Sequence, residues 1–445
     1  MKTDFFAGYA KINITPSLGV SMIGYYIDRF AEGVLDELEA IATAFKKGEN
    51  TVLLIAVDNC ELTREKLDPI RQTIQKETGV SADKILIHST HTHTGPGPSL
   101  TFGENKALKE YYAVLSDKLV QVAKSALSDL KPARMGYGVG KAPNVAFVRR
   151  FRMKDGSVMT NPGVNNPDIV SPIGEVDERV NVIRVDREGG ESIVIVNFGN
   201  HPDTVGGSKI SGDWPSFSRK FVENSIENTK CIFLNGAQGD VNHVNVHPKG
   251  GDFNDLFMDF DGCSRGYGHA RHIGRVVAGA VMQVYDKVNY IEVDSVDGKI
   301  VDMKIPSNKA SSEELILAKK YHALHLAGKD EEIPYNGMML TTVVAEAKRM
   351  VNLENGPDYF NLFMTILKLG DINIIGFPGE PFTGIGRAVK ELKEEGLIFP
   401  VCCANDNAAY FPTNEAYDEG GYEARSSTLK KGVAELLVNY AKENI

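Results

Sequence analysis

Ile87-His88-Ser89-Thr90-His91-Thr92-His93-Thr94-Gly95-Pro96-Gly97-Pro98 follows the apolar run Lys84–Ile87, and the reading of this stretch decides the fold. A short apolar run closed by a Gly/Pro cluster reads as a buried strand that ends in a turn. Side chains alternate in extended backbone, so His91 and His93 are expected on the same side. Two imidazoles presented together at a strand end suit half of a metal site, and suit equally a polar loop with hydrogen-bonded histidines. Gly95-Pro96-Gly97-Pro98 is no phosphate cradle, because proline removes the amide donors such a loop needs.

The same arrangement recurs outward along the chain. Residues 5–14 and 39–47 read as strands and Thr51–Val57 as a buried one. Further strands are expected at Ser192–Phe198, Cys231–Leu234, 291–305, Phe360–Leu369, Ile372–Phe377 and Phe399–Ala404. Helices are expected at Thr63–Thr78, 105–130, Trp214–Asn228, 264–287, Pro381–Lys393 and Thr428–Lys442. This alternation predicts one α/β domain over 1–445, with mixed sheet flanked by helices and a metal site at the strand carboxyl ends. Two charged amphipathic helices, 311–327 and 338–353, form a candidate insertion at 308–356. Residues 141–180 are rich in Pro, Gly and Asn and read as a long functional loop carrying Arg149, Arg150 and Arg152.

Four apolar strands are each followed by a side chain able to bind a metal. These are His91, His201 in Asn200-His201-Pro202-Asp203, Glu380 in Pro378-Gly379-Glu380, and Tyr410. A fifth strand runs into Asn235-Gly236-Ala237-Gln238-Gly239-Asp240-Val241-Asn242. Polar residues commonly follow strands, but loops at several carboxyl ends of one α/β sheet can converge on a single ligand.

Composition bounds the partners. The chain has 445 residues, 42% hydrophobic and 24% charged, ample for a large core. Its formal net charge of −10 argues against nucleic acid or an anionic membrane and for a small-molecule substrate. The five cysteines, Cys60, Cys231, Cys263, Cys402 and Cys403, have no CxxC spacing and read as buried thiols. No run reaches transmembrane length and the first ten residues carry no apolar signal core, so a cytoplasmic location is the expectation. The sequence sets no oligomeric state.

The histidine stretch resembles the His-Thr-His-Ser-Gly-Pro signature of the neutral (non-lysosomal) ceramidases. His201-Pro202 resembles their histidine-proline motif, and Gly212-Asp213 falls where they have Ser-Asp. Gly239-Asp240-Val241 matches the start of their Gly-Asp-Val-Ser-Pro-Asn segment. Pro378-Gly379-Glu380 and Tyr410…Tyr417…Tyr422-Glu423 resemble their C-terminal motifs, in the same order from about residue 7 onward. The resemblance implies zinc held by His91, His201, Glu380 and Tyr410, with Tyr417 and Tyr422 as the alternative tyrosines, and His93 beside the metal facing substrate. Two imidazoles and a carboxylate are an ordinary catalytic zinc set, and a dication lowers the phenol pKa that otherwise makes tyrosine a poor ligand.

Two departures matter. The family's serine nucleophile is here Asn242, followed by His243 instead of proline, and asparagine cannot form an acyl intermediate. The additional C-terminal β-sandwich domain of the ceramidases has no counterpart in this sequence. The expected chemistry is therefore attack by metal-activated water, with Asp213 or Asp240 as candidate general base. His93 or His243 would steady an oxyanion or protonate the leaving group, and Asn242 would donate a hydrogen bond. Asp240 reads first as a turn-fixing residue. Arg149, Arg150 and Arg152 suit a carboxylate, phosphate or sugar-like substrate. The expectation is a zinc-dependent hydrolase cleaving an amide, ester or related bond in a soluble polar substrate. Its alternatives are a true N-acylsphingosine amidohydrolase and a non-hydrolytic zinc protein acting on a sugar-like ligand.

Overall fold

The computed structural model describes residues 4–99, 103–249 and 266–445. Nine strands form the larger sheet: β1 (Phe5–Asn13), β2 (Glu39–Lys47), β3 (Asn50–Val57), β4 (Ile85–Ser89), β5 (Lys131–Lys141), β6 (Arg179–Arg187), β7 (Ser192–Phe198), β8 (Thr229–Asn235) and β9 (Asn289–Ile291). Their order is β8-β7-β6-β5-β1-β2-β3-β4, with β9 attached to β5. A four-stranded sheet runs β10-β11-β12-β13, formed by Val296–Pro306, Tyr359–Leu369, Ile372–Gly376 and Leu397–Val401.

Within these two sheets most pairs are antiparallel, but three are parallel, β3 with β4, β7 with β8, and β12 with β13. Each has a helix in its crossover: α1 (Arg64–Thr78), α3 (Asp213–Ser225) and α7 (Thr383–Lys390) respectively. The strands of these pairs are almost wholly buried, as parallel strands covered on both faces require.

The sheets pack face to face through one apolar layer in which Phe45, Leu54, Leu86, Ile195 and Leu234 meet Leu367, Ile374 and Phe399. On the far side of the large sheet, α1 and α2 (Lys106–Ser128) cover one half, and α3 and α4 (Tyr267–Val284) the other. Helices α7 and α10 (Val433–Asn444) cover the small sheet. The result is a mixed α/β fold in four layers, helix–sheet–sheet–helix.

Face-to-face packing brings the carboxyl ends of the parallel pairs together. The Ser89 amide donates to the Cys403 carbonyl at 3.1 Å, and the Cys402 amide to the Asn235 carbonyl at 3.0 Å. Buried His88 joins the same three ends: its Nδ1 lies 2.7 Å from the Cys402 carbonyl and its Nε2 accepts from the Asn235 amide at 3.0 Å. A neutral imidazole satisfies both contacts, and burial drives its pKa down to about 3.

The structure departs from the sequence-based expectation in three places. The decisive strand is Ile85–Ser89, because its parallel register against Leu53–Val57 runs on through His88 and Ser89. His91 lies beyond it with φ 72°, so the His91/His93 juxtaposition does not come from strand alternation. Residues 141–180 are not one long loop: Arg150–Met153 pairs with Val158–Thr160 and with Ile169–Pro172. Strands β5 and β6 were not anticipated. In β5 the glycines are points of close approach, not turns; a Cβ on Gly140 would sit 2.2 Å from the Ala280 carbonyl oxygen.

The helical pair is present as α5 (Ser312–Leu326) and α6 (Gly337–Leu353), between β10 and β11. Between them and α10 lie the short helices α8 (Asn414–Glu419) and α9 (Tyr422–Ser426). Cys60, Cys231, Cys402 and Cys403 are buried free thiols. Cys263 and the first residues of the 264–287 helix lie outside the described residues. Among the described residues, no helix is long and apolar enough to cross a membrane.

Candidate metal centre and the cleft beside it

Three loops leave the parallel strand ends and deliver His91, His201 and Glu380 to one point. One donor atom from each lies within 4.8 Å of the others, and all three residues are buried. Each imidazole is oriented from behind. His91 Nδ1 lies 2.8 Å from the Cys60 carbonyl oxygen and His201 Nδ1 2.9 Å from that of Gln238. Both Nδ1 atoms must then donate, which leaves the Nε2 lone pairs aimed inward. Glu380 Oε2 lies 3.4 Å from His91 Nε2 and 3.1 Å from His201 Nε2. Neither His201 Nε2 nor Glu380 Oε2 has a hydrogen-bond partner, although both are buried.

Electrostatics point the same way. Burial alone would raise the Glu380 pKa, but the His91 and His201 rings pull it down to about 2. Burial pushes His91 down, and the Glu380 carboxylate more than reverses it, raising the pKa well above the ordinary value. His201 goes down through burial and the nearby Arg149 charge. Glu380 is therefore held ionised and His201 neutral, beside His91. Two imidazoles and a carboxylate converging on one point fit a divalent zinc-like cation.

Tyr410 is placed by a short parallel bridge in which it pairs with Glu380. Its ring lies 6.5 Å from that of His201, and burial and the Glu380 charge raise its phenol pKa. Of the alternative tyrosines, Tyr417 gives its hydroxyl to the Leu429 carbonyl at 2.6 Å, while Tyr422 packs edge-on to Tyr410 at 5.9 Å. His93 Nε2 is 3.3 Å from His91 Nε2, and its ring packs on His91, His201 and Tyr25.

His93 and Tyr410 also line a cleft of about 640 Å³, with Arg149, Asp203, Tyr25, Tyr26, Tyr422 and the first residues of α6 among its other walls. The helical insertion is thus part of the cleft. Asp203, Tyr25, Tyr26 and the α6 residues were not singled out from the sequence. Asp203 carried a signal, being a carboxylate two positions after a candidate ligand; the others carried none.

The remaining expected residues separate into different tasks. Arg149 lines the cleft, with Nε 2.7 Å from Glu423 Oε1 and Nη2 2.7 Å from the Gly239 carbonyl. Arg150 and Arg152 turn the other way and share Glu419, at 3.3 and 3.0 Å. Asp240 accepts from the Thr383 amide at 2.7 Å and its hydroxyl at 2.8 Å, fixing the start of α7 just after Glu380. Gly239 permits that docking: a Cβ there would lie 2.7 Å from the Glu380 carbonyl oxygen.

Asp213 is fully buried with φ 54° and accepts from the Val205 amide at 2.8 Å and the Trp214 amide at 2.5 Å. It ties the His201 loop to α3, and burial raises its pKa to about 6. Asn242 does not line the cleft; its Nδ2 donates to Asn161 Oδ1 at 3.1 Å, and Asn161 does line it. His243 sits behind Asp203, its Nδ1 3.0 Å from Asp203 Oδ1. His269 packs edge-on to His243 at 5.3 Å, and no metal-ligating group among the described residues includes His269 or His272.

No protein-family profile matches the chain. It is 26% identical over 252 residues to neutral ceramidase A of Dictyostelium discoideum, covering 52% of this chain and 34% of the relative. It is 24% identical over 241 residues to neutral ceramidase 2 of Arabidopsis thaliana, covering 50% and 30%. The matches thus span about a third of each relative's length. Among solved structures, the neutral ceramidase from Pseudomonas aeruginosa superimposes with a TM-score of 0.72 at 18% identity, over 99% of this chain and 74% of that one. A ceramidase complexed with C2 gives the same TM-score at 16% identity, over 99% and 75%. These superpositions establish a shared fold.

Proposed function

We propose that this neutral-ceramidase-family domain is a zinc-dependent hydrolase that cleaves an amide, ester or related bond in a soluble polar substrate. One observation carries the reading: buried His201 Nε2 and Glu380 Oε2 have no hydrogen-bond partner, and with His91 they converge beside a cleft. Unsatisfied buried polar atoms are expensive, and a cation held by His91, His201 and Glu380, with Tyr410 in reach, satisfies all of them at once. Zinc bound there would supply an electrophile and a nucleophilic water at neutral pH.

The chain's own residues do the rest. Arg149 is held by Glu423 and Gly239 and presents its remaining guanidinium edge to a substrate oxygen. His93, wedged against the ligand rings, donates to charge developing on the scissile group. Asn242 supports the cleft through Asn161. It stands where the ceramidases have their nucleophilic serine, so direct attack by this side chain is not part of the proposal. A true ceramidase is the second reading, favoured by the names of the curated relatives. A panel of N-acyl, ester, lactone and glycoside substrates, with His91→Ala as control, tests both. Turnover of a soluble substrate lost in His91→Ala supports the first reading. Equal or better turnover of micellar ceramide overturns the preference for a soluble substrate.

A further inference from the structure

We propose that Asp203, braced by His243, is a specificity residue that reads hydroxyl groups, and that the cleft takes a neutral, polyhydroxylated, sugar-like substrate. This inference rests on the hydrolase reading for the position of the bond cleaved, but not for the binding it predicts. Asp203 is 4% exposed and lines the cleft with Arg149 and His93. Its carboxylate is held at 3.0 Å by His243 Nδ1, and its carbonyl accepts from the Tyr25 hydroxyl at 2.9 Å. The loop is therefore pinned on both sides, and the carboxylate is presented rigidly.

The two charges decide the ligand class. Burial lowers the Arg149 pKa, and Tyr410, Glu423 and then Asp203 raise it above its ordinary value, so Asp203 and Arg149 feel each other's field. A phosphate or carboxylate drawn to Arg149 would be repelled by Asp203. An acyl chain would bury both ions against hydrocarbon, where neither finds a partner in the ligand. A neutral polyol answers both, because each hydroxyl donates to the carboxylate and accepts from the guanidinium. The cleft also offers the amides of Asn161 and Asn336, which do both, and the rings of Tyr26 and Tyr422 for the apolar face of a sugar ring.

The test is calorimetric titration of the zinc-loaded full chain with glucose, galactose and N-acetylglucosamine, using cyclohexanol and acetohydroxamate as controls. At least one sugar should bind more tightly than cyclohexanol. Asp203→Asn should weaken that sugar about tenfold or more while leaving acetohydroxamate, a metal-directed probe, unchanged. Asp203→Glu should recover part of the loss. His243→Gln should give an intermediate loss, and it carries the test if Asp203→Asn melts early. Sugars no tighter than cyclohexanol, or equal sugar affinity in wild type and the Asp203 and His243 variants, would overturn the proposal. Failure of zinc and acetohydroxamate to bind the wild type would sink the metallohydrolase reading separately and leave the sugar comparison legible.

Discussion

The rim where three parallel strand pairs end and the three-stranded sheet over residues 147–172 are both polar and charged. Their polar atoms are treated differently. In that sheet each guanidinium is anchored by a carboxylate or carbonyl, although Arg150 Nε is buried without a partner: Arg149 has Glu423 and the Gly239 carbonyl, while Arg150 and Arg152 share Glu419. Glu423 takes the Thr160 hydroxyl as well, at 2.7 Å. At the rim, His201 Nε2 and Glu380 Oε2 have none. The arginines are thus anchored by carboxylates and a carbonyl, whereas the rim leaves two facing donor atoms unsatisfied, the pattern expected where a cation binds.

The largest expected effect removes the rim's donors. His201→Ala or Glu380→Ala should drop bound zinc from one per chain to near zero and hydrolysis by about a thousandfold or more. Metal analysis and steady-state rates check this, and an active metal-free variant would erase the distinction between the regions. Next, Arg149→Met leaves Glu423, fully buried, without its cation. Breaking such a pair should cost about 3–5 kcal/mol in denaturant unfolding, besides weakening substrate binding. A cost under about 1 kcal/mol would mean the pair is solvated as surface pairs are.

The third effect concerns pH and the His88 joint. Its folded pKa is depressed to about 3 from an ordinary 6.5. Between those values the unfolded chain binds a proton that the folded chain refuses. Stability is therefore full above pH 6.5, falls as pH drops through that window, and levels off near pH 3, with a slope of at most about 1.4 kcal/mol per pH unit. The rim residues titrate too, so the quantity to measure is the difference in melting temperature against pH between wild type and His88→Gln. Parallel curves would remove His88 from the account.

Chelation should act more locally. Hydrogen exchange should speed up in the loops around His91, His201 and Glu380, while β3 and β7 keep their protection. At the bottom of the scale, Arg152→Ala breaks a pair whose arginine is 44% exposed. It should change stability by less than about 0.5 kcal/mol and leave turnover unchanged.

Much of this was legible in the residues because parallel strands buried on both faces are continuous apolar runs, and their ends are followed by single conspicuous side chains. His91, His201 and Glu380 were visible for that reason. What stayed hidden depends on contacts across the fold. β5 reads as turn because Gly136, Gly138 and Gly140 serve close packing against the Val288 side chain and Asn289 backbone, the Val284 side chain, and the Ala280 backbone respectively. The pairing of Asp203 with His243 spans 40 positions and needs coordinates to be seen. Likewise, Arg149, Arg150 and Arg152 look equivalent in sequence, but the local strand turns only the first toward the cleft.

The most direct test of the central claim is zinc titration of the purified chain with X-ray absorption of the bound metal. The expected result is one tightly bound zinc with two imidazole nitrogens and oxygen ligands, lost in His91→Ala. Absence of tight binding, or a zinc whose signal is unchanged in His91→Ala, would contradict it.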